Sequence, residues 1–184
     1  MKVRESGMPA PEMWGSFFSP DKILTAMGVT GDVRDAADFG CGYGTFAIPA
    51  ASHVRGILHG FDIDKKMIAA TGKAARRAGA KNIRLHLRDF ISRGTGLPDS
   101  CVSYVLLFNI LHAENPVGLL QEAWRILVPG GRVGVTHWNP DPATPRGPSI
   151  NIRPRPAACR KWLVEVGFKI VKPHIDLPPY HYGI

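Results

Sequence analysis

Between Ala37 and Phe46 the chain reads AlaAspPheGlyCysGlyTyrGlyThrPhe, an acid followed by glycine at every second position. Gly40, Gly42 and Gly44 permit a sharp turn and a close approach of backbone to ligand, since no Cβ intrudes. Asp38 closes the apolar stretch before them, and Cys41 lies inside the loop. Phe46, Ala47 and Ile48 then begin a helix whose first N–H groups face the same spot. Asp62, Asp89 and Asn109 stand at the ends of later apolar stretches. A carboxylate such as Asp62 can accept from both hydroxyls of a ribose. His112 and His137 titrate near neutrality and are the candidate bases or substrate orienters.

The chemistry suggested is that of a nucleoside-bearing ligand with one proton to move. A dinucleotide-binding GxGxxG counted from Gly40 needs glycine at position 45, where this chain has Thr45. That spacing argues against a nicotinamide enzyme. Cys41, Cys101 and Cys159 form no CxxC or Cys/His cluster, so neither a metal site nor a disulfide framework is expected.

These residues need a scaffold that brings strand ends together. The pattern predicts strands over Asp35–Phe39, Gly56–Asp62, Ile83–Arg88, Val102–Asn109 and Arg132–His137. Helices are expected over Tyr43–His53, Lys65–Ala78 and Pro116–Leu127, with Asp64 as the N-cap of the second. Such alternation implies a doubly wound, mostly parallel α/β sheet with right-handed crossovers. Ligands bind these sheets at the carboxyl ends of strands, where Asp38, Asp62, Asp89 and Asn109 all fall. Pro129, Gly130 and Gly131 turn the chain into the fifth strand. A proline-rich loop runs from Asn139 to Pro156, and a short helix over Ala157–Val166 stops at Gly167. Phe168–Val171 is expected as a sixth strand, and Tyr180–Ile184 as a stubby seventh. Ahead of the sheet, a loose first dozen residues lead to an aromatic segment, Trp14 to Met27, helical and broken near Pro20.

Read with its acid, the loop is DxGxGxG and resembles the first motif of the class I S-adenosylmethionine-dependent methyltransferases. The resemblance runs from about Met13 to the C-terminus. It includes the segments around Asp62 and Asp89 and the ArgIleLeuValProGlyGly stretch ending at Gly131, and is nearest the quinone-biosynthesis and metabolite branch. It implies a Rossmann-like sheet of six to seven strands, the last antiparallel and short. It further implies S-adenosylmethionine as cofactor and S-adenosylhomocysteine as product. Asp38, Gly40, Cys41, Gly42 and Gly44 would then wrap the methionine part and Asp62 the ribose. Asp89 and the Phe90 N–H would meet the adenine edge, Ile63 its face, and Asn109 the place where cofactor meets acceptor. Residues 1–30 would form a lid whose Trp14, Phe17 and Phe18 cover residues 31–184, the catalytic domain. His112 and His137 would be catalytic, with Trp138, Tyr180, His181 and Tyr182 lining the acceptor pocket. Ser103 departs from the aspartate common in relatives. The AsnIleLeuHis segment at Asn109 lacks the Asp/Asn-Pro-Pro-aromatic motif of nucleic-acid amino-methyltransferases.

The 184 residues carry a net charge of +8, which raises the question of an acidic partner. Much of it lies in Lys73, Arg76, Arg77, Lys81, Arg84 and Arg88, without the interleaved aromatics that stack on bases, so a solvated face is expected. A small-molecule methyl acceptor is favoured over nucleic acid or protein. A cofactor-binding protein without catalysis is the other alternative. No apolar run is long enough to span a membrane and no signal-peptide core opens the chain, so a cytoplasmic protein is expected.

Overall fold

In the computed structural model, the described residues are 10, 13–14, 16–140, 144 and 147–184. All but one of the first dozen residues, expected to be loose, lie outside them, as do residue 15 and five of the proline-rich loop. The first helix, α1 (Pro20–Ala26), opens on Pro20, whose missing N–H costs nothing in a first turn. The strand β1 (Ala36–Phe39) is buried at all four positions, as a central parallel strand must be. After the glycine loop come α2 (Ala47–His53), β2 (Leu58–Asp62), α3 (Lys65–Arg77) and β3 (Ile83–Leu87). Asp64 caps α3 by accepting from the Lys66 N–H at 2.7 Å. A four-residue helix, α4 (Phe90–Arg93), leads to β4 (Val102–Phe108), α5 (Pro116–Ile126) and β5 (Leu127–Trp138). A 3-10 turn at Ile150–Ile152, α6 (Pro156–Val166), β6 (Ile175–Leu177) and β7 (His181–Gly183) complete the chain.

The seven strands are ordered β3-β2-β1-β4-β5-β7-β6. The first five are parallel, β7 runs antiparallel to β5, and β6 antiparallel to β7. The doubly wound sheet is thus as expected, with a short antiparallel strand at the expected end. Leu24, Ala47, Ala50, Leu58 and Leu106 fill one face, and Phe39, Val105, Leu107, Leu120 and Leu163 fill the other.

Four expectations change. The helix expected from Tyr43 begins at Ala47, because Gly42 and Gly44 sit at φ +53 and +82, outside any right-handed helix. The strand expected at Phe168–Val171 is absent. Phe168 instead donates its N–H to the Leu163 carbonyl, closing α6, and sets its ring edge-on to Trp124 at 4.9 Å. Val171 is 84% exposed, and the sixth strand forms further on, at Ile175–Leu177. β5 starts at Leu127, five residues early, since Leu127 already pairs with Val102 across the Pro129–Gly131 bulge. α4 has too few residues to show a helical period.

Ser103, the departure from the related pattern, accepts from the Arg34 N–H and donates to the Asp35 carbonyl, joining the entries of β1 and β4 far from the glycine loop. Lys73, Arg76, Arg77, Lys81 and Arg84 are exposed, as expected. All three cysteines are free, and no cluster of three or more metal-ligating side chains occurs among the described residues. No helix among those residues is long and apolar enough to cross a membrane.

Tyr104 spans the layer beneath β5 and donates from its hydroxyl to the Met27 carbonyl at 2.7 Å. A Cβ at Gly134 would collide with that hydroxyl. Gly134→Ala is therefore expected to destabilise the protein by about 1–3 kcal/mol. Gly31→Ala, which adds its methyl to open space, should change stability by no more than about 0.5 kcal/mol. Melting temperatures of the two variants, measured side by side, check the contrast.

Candidate active site

The loop after β1 is fixed to the end of β2 by its own backbone. The N–H groups of Gly40 and Cys41 both donate to the Phe61 carbonyl at 2.9 Å, and Gly42 donates to Asp62 Oδ2 at 3.0 Å. Asp62 Oδ1 accepts from the Asp64 N–H at 2.9 Å, so one carboxylate ties the loop to the start of α3. Thr71, buried on α3, donates to the Gly42 carbonyl at 2.5 Å and holds the loop from the other side. Gly40 has φ +80, and a Cβ there would lie 3.2 Å from Ile110. At Gly44, φ +82, a Cβ would come within 2.8 Å of Ile48. Glycine is required at both by conformation and by space.

Asp38 and Asp62 share this pocket. Asp38 is 2% exposed, and burial together with the Asp62 charge pushes its carboxyl up to about 7. Burial also raises Asp62, although the Asp64 and Gly42 N–H bonds pull it back. Burial raises the Cys41 thiol, so Cys41 is an unreactive wall residue. Two uncompensated acids in one buried place favour a cationic ligand.

Around the sheet edge, Asp89 caps α4, accepting from the Ser92 N–H at 3.2 Å and its hydroxyl at 2.6 Å. The Ser92 hydroxyl is what chiefly lowers its pKa. The Phe90 ring is buried against Phe39 at 5.4 Å, leaving its backbone as the part that can face a ligand. Ile63 is half-buried beside Asp62. Asn109 ends β4 in the left-handed region at φ +57, a conformation asparagine tolerates. Its N–H donates to the Thr136 carbonyl, while both atoms of its side-chain amide are buried without a hydrogen-bond partner.

His112 and His137 meet. His112 Nδ1 lies 3.3 Å from His137 Nε2, with the rings nearly perpendicular. His137 is fully buried, and burial followed by the nearby His112 holds its pKa well below the ordinary value, so it is neutral.

Over the neighbouring face the aromatic segment closes down. Phe18 lies tilted 4.5 Å from His181 and edge-on to Phe46 at 5.1 Å, while Phe17 lies edge-on to Trp138 at 5.6 Å. Trp14 approaches Trp138 at 6.1 Å, and Tyr180 stacks on its other flank at 6.0 Å. Tyr182, expected with them, points to the opposite face and donates its hydroxyl to the Pro154 carbonyl beside Cys159. Thr71 and Arg153 escaped the sequence reading. Arg153 sits 5.5 Å above the Trp138 ring and donates to the Pro148 and Asn139 carbonyls. A lone threonine on a helix and an arginine in a proline-rich loop carry no motif.

A cavity of about 770 Å³ lies elsewhere, at the opposite end of β4 and β5, lined by Tyr104, Trp124, Arg132, Phe168 and Ile175. It opens beside the part of β5 that the three-residue β7 does not reach, and it holds none of the residues above.

Known proteins share this arrangement. The family profile described as "Methyltransferase domain" matches residues 36–131, about half of the chain and all of the sheet from β1 to the bulge in β5. The aklanonic acid methyltransferase of Streptomyces sp. (strain C5) is 34% identical over 102 residues, covering 54% of this chain and 46% of that protein. The match thus spans less than half the length of this relative. Among solved structures, a SAM-dependent methyltransferase from Aquifex aeolicus superposes with a TM-score of 0.82 at 19% identity, over 94% of this chain and 90% of its own. The [4+2]-cyclase SpnF superposes with a TM-score of 0.69 at 22% identity, over 86% and 59% respectively. At such identities the superpositions establish the fold, and the profile match establishes the family. This chain belongs to the methyltransferase-domain family, whose cofactor is S-adenosylmethionine.

Proposed function

We propose that the protein transfers a methyl group from S-adenosylmethionine to a small-molecule acceptor. The observation that carries this reading is the Asp62 clamp. Its carboxylate offers about four lone-pair positions, and the Gly42 and Asp64 N–H groups occupy two. The remaining two fit the hydroxyls of a ribose. The loop fits as well, since Gly40, Gly42 and Gly44, at φ +80, +53 and +82, give it a turn that other residues rarely adopt.

In this reading Asp38, Gly40, Cys41, Gly42 and Gly44 hold the methionine end, where the two buried acids offset its cationic groups. Ile63 covers the adenine face, and Asp89 with the Phe90 backbone takes its edge. Asn109 offers its unpaired amide at the junction with the acceptor. The bound cofactor supplies a methyl group on positively charged sulfur, which needs no further activation. The residues have to align the acceptor, exclude water and accept a proton. Trp14, Phe17 and Phe18, each under 10% exposed, exclude water.

His112 is the base. His112 Nδ1 is set 3.3 Å from Nε2 of His137, which burial keeps neutral, and this contact orients the His112 ring. Where the acceptor loses a proton on methylation, His112 would take it. A small acceptor is supported by the relative that acts on aklanonic acid. It is also supported by the solvated placement of the basic residues.

Calorimetry with S-adenosylhomocysteine, followed by labelled-methyl transfer across phenols, quinols, amines, thiols and bulk RNA, tests the reading; no binding of the cofactor or its product overturns it. Asp62→Ala should weaken S-adenosylhomocysteine by about 1–3 kcal/mol. His112→Ala should lower kcat by about 10²–10⁴ with that affinity retained. Asp38 adds a pH dependence. Its carboxyl titrates near 7 when folded against a reference of 3.8, so its stabilising effect is complete below the reference and is lost as pH rises through 7. Asp38→Asn should therefore gain in melting temperature relative to wild type as pH rises from about 4 to above 7, in thermal scans without cofactor.

A further inference from the structure

We propose that the methyl acceptor is a flat, conjugated molecule with an oxygen on its rim, seated against Trp138 and His181 beneath the Trp14, Phe17 and Phe18 cover. This rests on the methyltransferase reading and names the substrate class for it. Four buried side-chain atoms on one face have no hydrogen-bond partner: Trp138 Nε1, both His181 ring nitrogens and Thr136 Oγ1. Native interiors seldom leave such groups unpaired, and where they gather they mark a place that a ligand completes. Thr136 and Trp138 share a face because alternate residues of a strand do, and His181 is paired with Trp138 across β7. The Asn109 N–H donates to the Thr136 carbonyl, so this polar set adjoins the unpaired Asn109 amide at the cofactor end of β4.

The chemistry of these atoms selects the ligand. An indole N–H only donates, so what meets it must bring a lone pair. A protonated amine has none to give, whereas a phenol, an enol or a carbonyl does. His181 is neutral, pushed down to about 3 by burial and then by Arg153, and so offers one donor and one acceptor. A hydroxyl next to a carbonyl satisfies both. The walls select shape. Trp138 is flanked by Tyr180 at 27° and by Phe17 edge-on, and the ring of Phe18 lies over His181. Rings at these angles favour an aromatic guest over a puckered aliphatic one.

The test is calorimetry on protein saturated with S-adenosylhomocysteine, using ortho-acetylnaphthol, the aliphatic enol acetylcyclohexanone, and naphthylmethylamine. The naphthol should bind at least about tenfold more tightly than either of the others. Trp138→Phe keeps a ring and removes the N–H, and His181→Phe removes both nitrogens; each should weaken the naphthol about tenfold with S-adenosylhomocysteine affinity unchanged. Circular dichroism shows that each variant is folded, and should one fail, the other carries the comparison. Equal binding of the three probes, or wild-type affinity for the naphthol in a folded variant, overturns the proposal. Binding of S-adenosylhomocysteine without the naphthol sinks the acceptor class alone. Failure of S-adenosylhomocysteine to bind sinks the methyltransferase reading beneath it.

Discussion

One carboxylate holds the cofactor end of this molecule in shape. Asp62 receives the Gly42 N–H on one oxygen and the Asp64 N–H on the other, joining the glycine loop, the end of β2 and the start of α3. A loop with three glycines in left-handed conformations has much freedom to lose on folding. Without fixed anchors it would sample shapes that hold no ligand. The Phe61 carbonyl, Asp62 and Thr71 supply those anchors before any ligand arrives. The arrangement also stores a charge imbalance, because Asp38 lies buried beside Asp62. Rigidity and excess negative charge thus come from the same few residues, and both favour a cation in that place.

What could be read from the sequence was what local rules govern. Alternating apolar segments gave β1 to β5 and the sheet type, and glycine spacing gave the loop, since φ above zero leaves a compositional mark. Asp64 was legible as a cap because capping is a contact between near neighbours. The misses are non-local. Phe168 looks like strand until Trp124, 44 positions earlier, captures its ring and the end of α6 its N–H. Leu127 looks like helix end until Val102 pairs with it. Thr71, Arg153 and the meeting of His112 with His137 depend on segments that only folding brings together.

The sheet alone does not decide the chemistry. A cyclase superposes on it as well as methyltransferases do, and ligand sites are grafted onto such scaffolds by the residues at strand ends. The cavity beside the unpaired part of β5 makes the same point from the opposite side. It holds about 770 Å³, yet its lining includes neither the glycine loop nor Asp62, His112 or Trp138. Concavity follows from strand lengths here, while function follows from which polar groups converge.

The end of β5 shows how that convergence is organised. His137 and Trp138 are adjacent, so the pleat sends them to opposite faces. His137 joins His112 on the side packed by α5 and α6, and Trp138 joins His181 under the N-terminal aromatic residues. The pairing of Thr136 with Gly183, His137 with Tyr182 and Trp138 with His181 fixes which residue takes which side. A slip of β7 by one residue would exchange His181 and Tyr182, placing the phenol under the aromatic cover and the histidine among the helices. Three short pairings therefore decide that His181, and not Tyr182, lies beside Trp138. That gives β7 a role in the site itself, and explains why so short a strand is buried at all three of its positions.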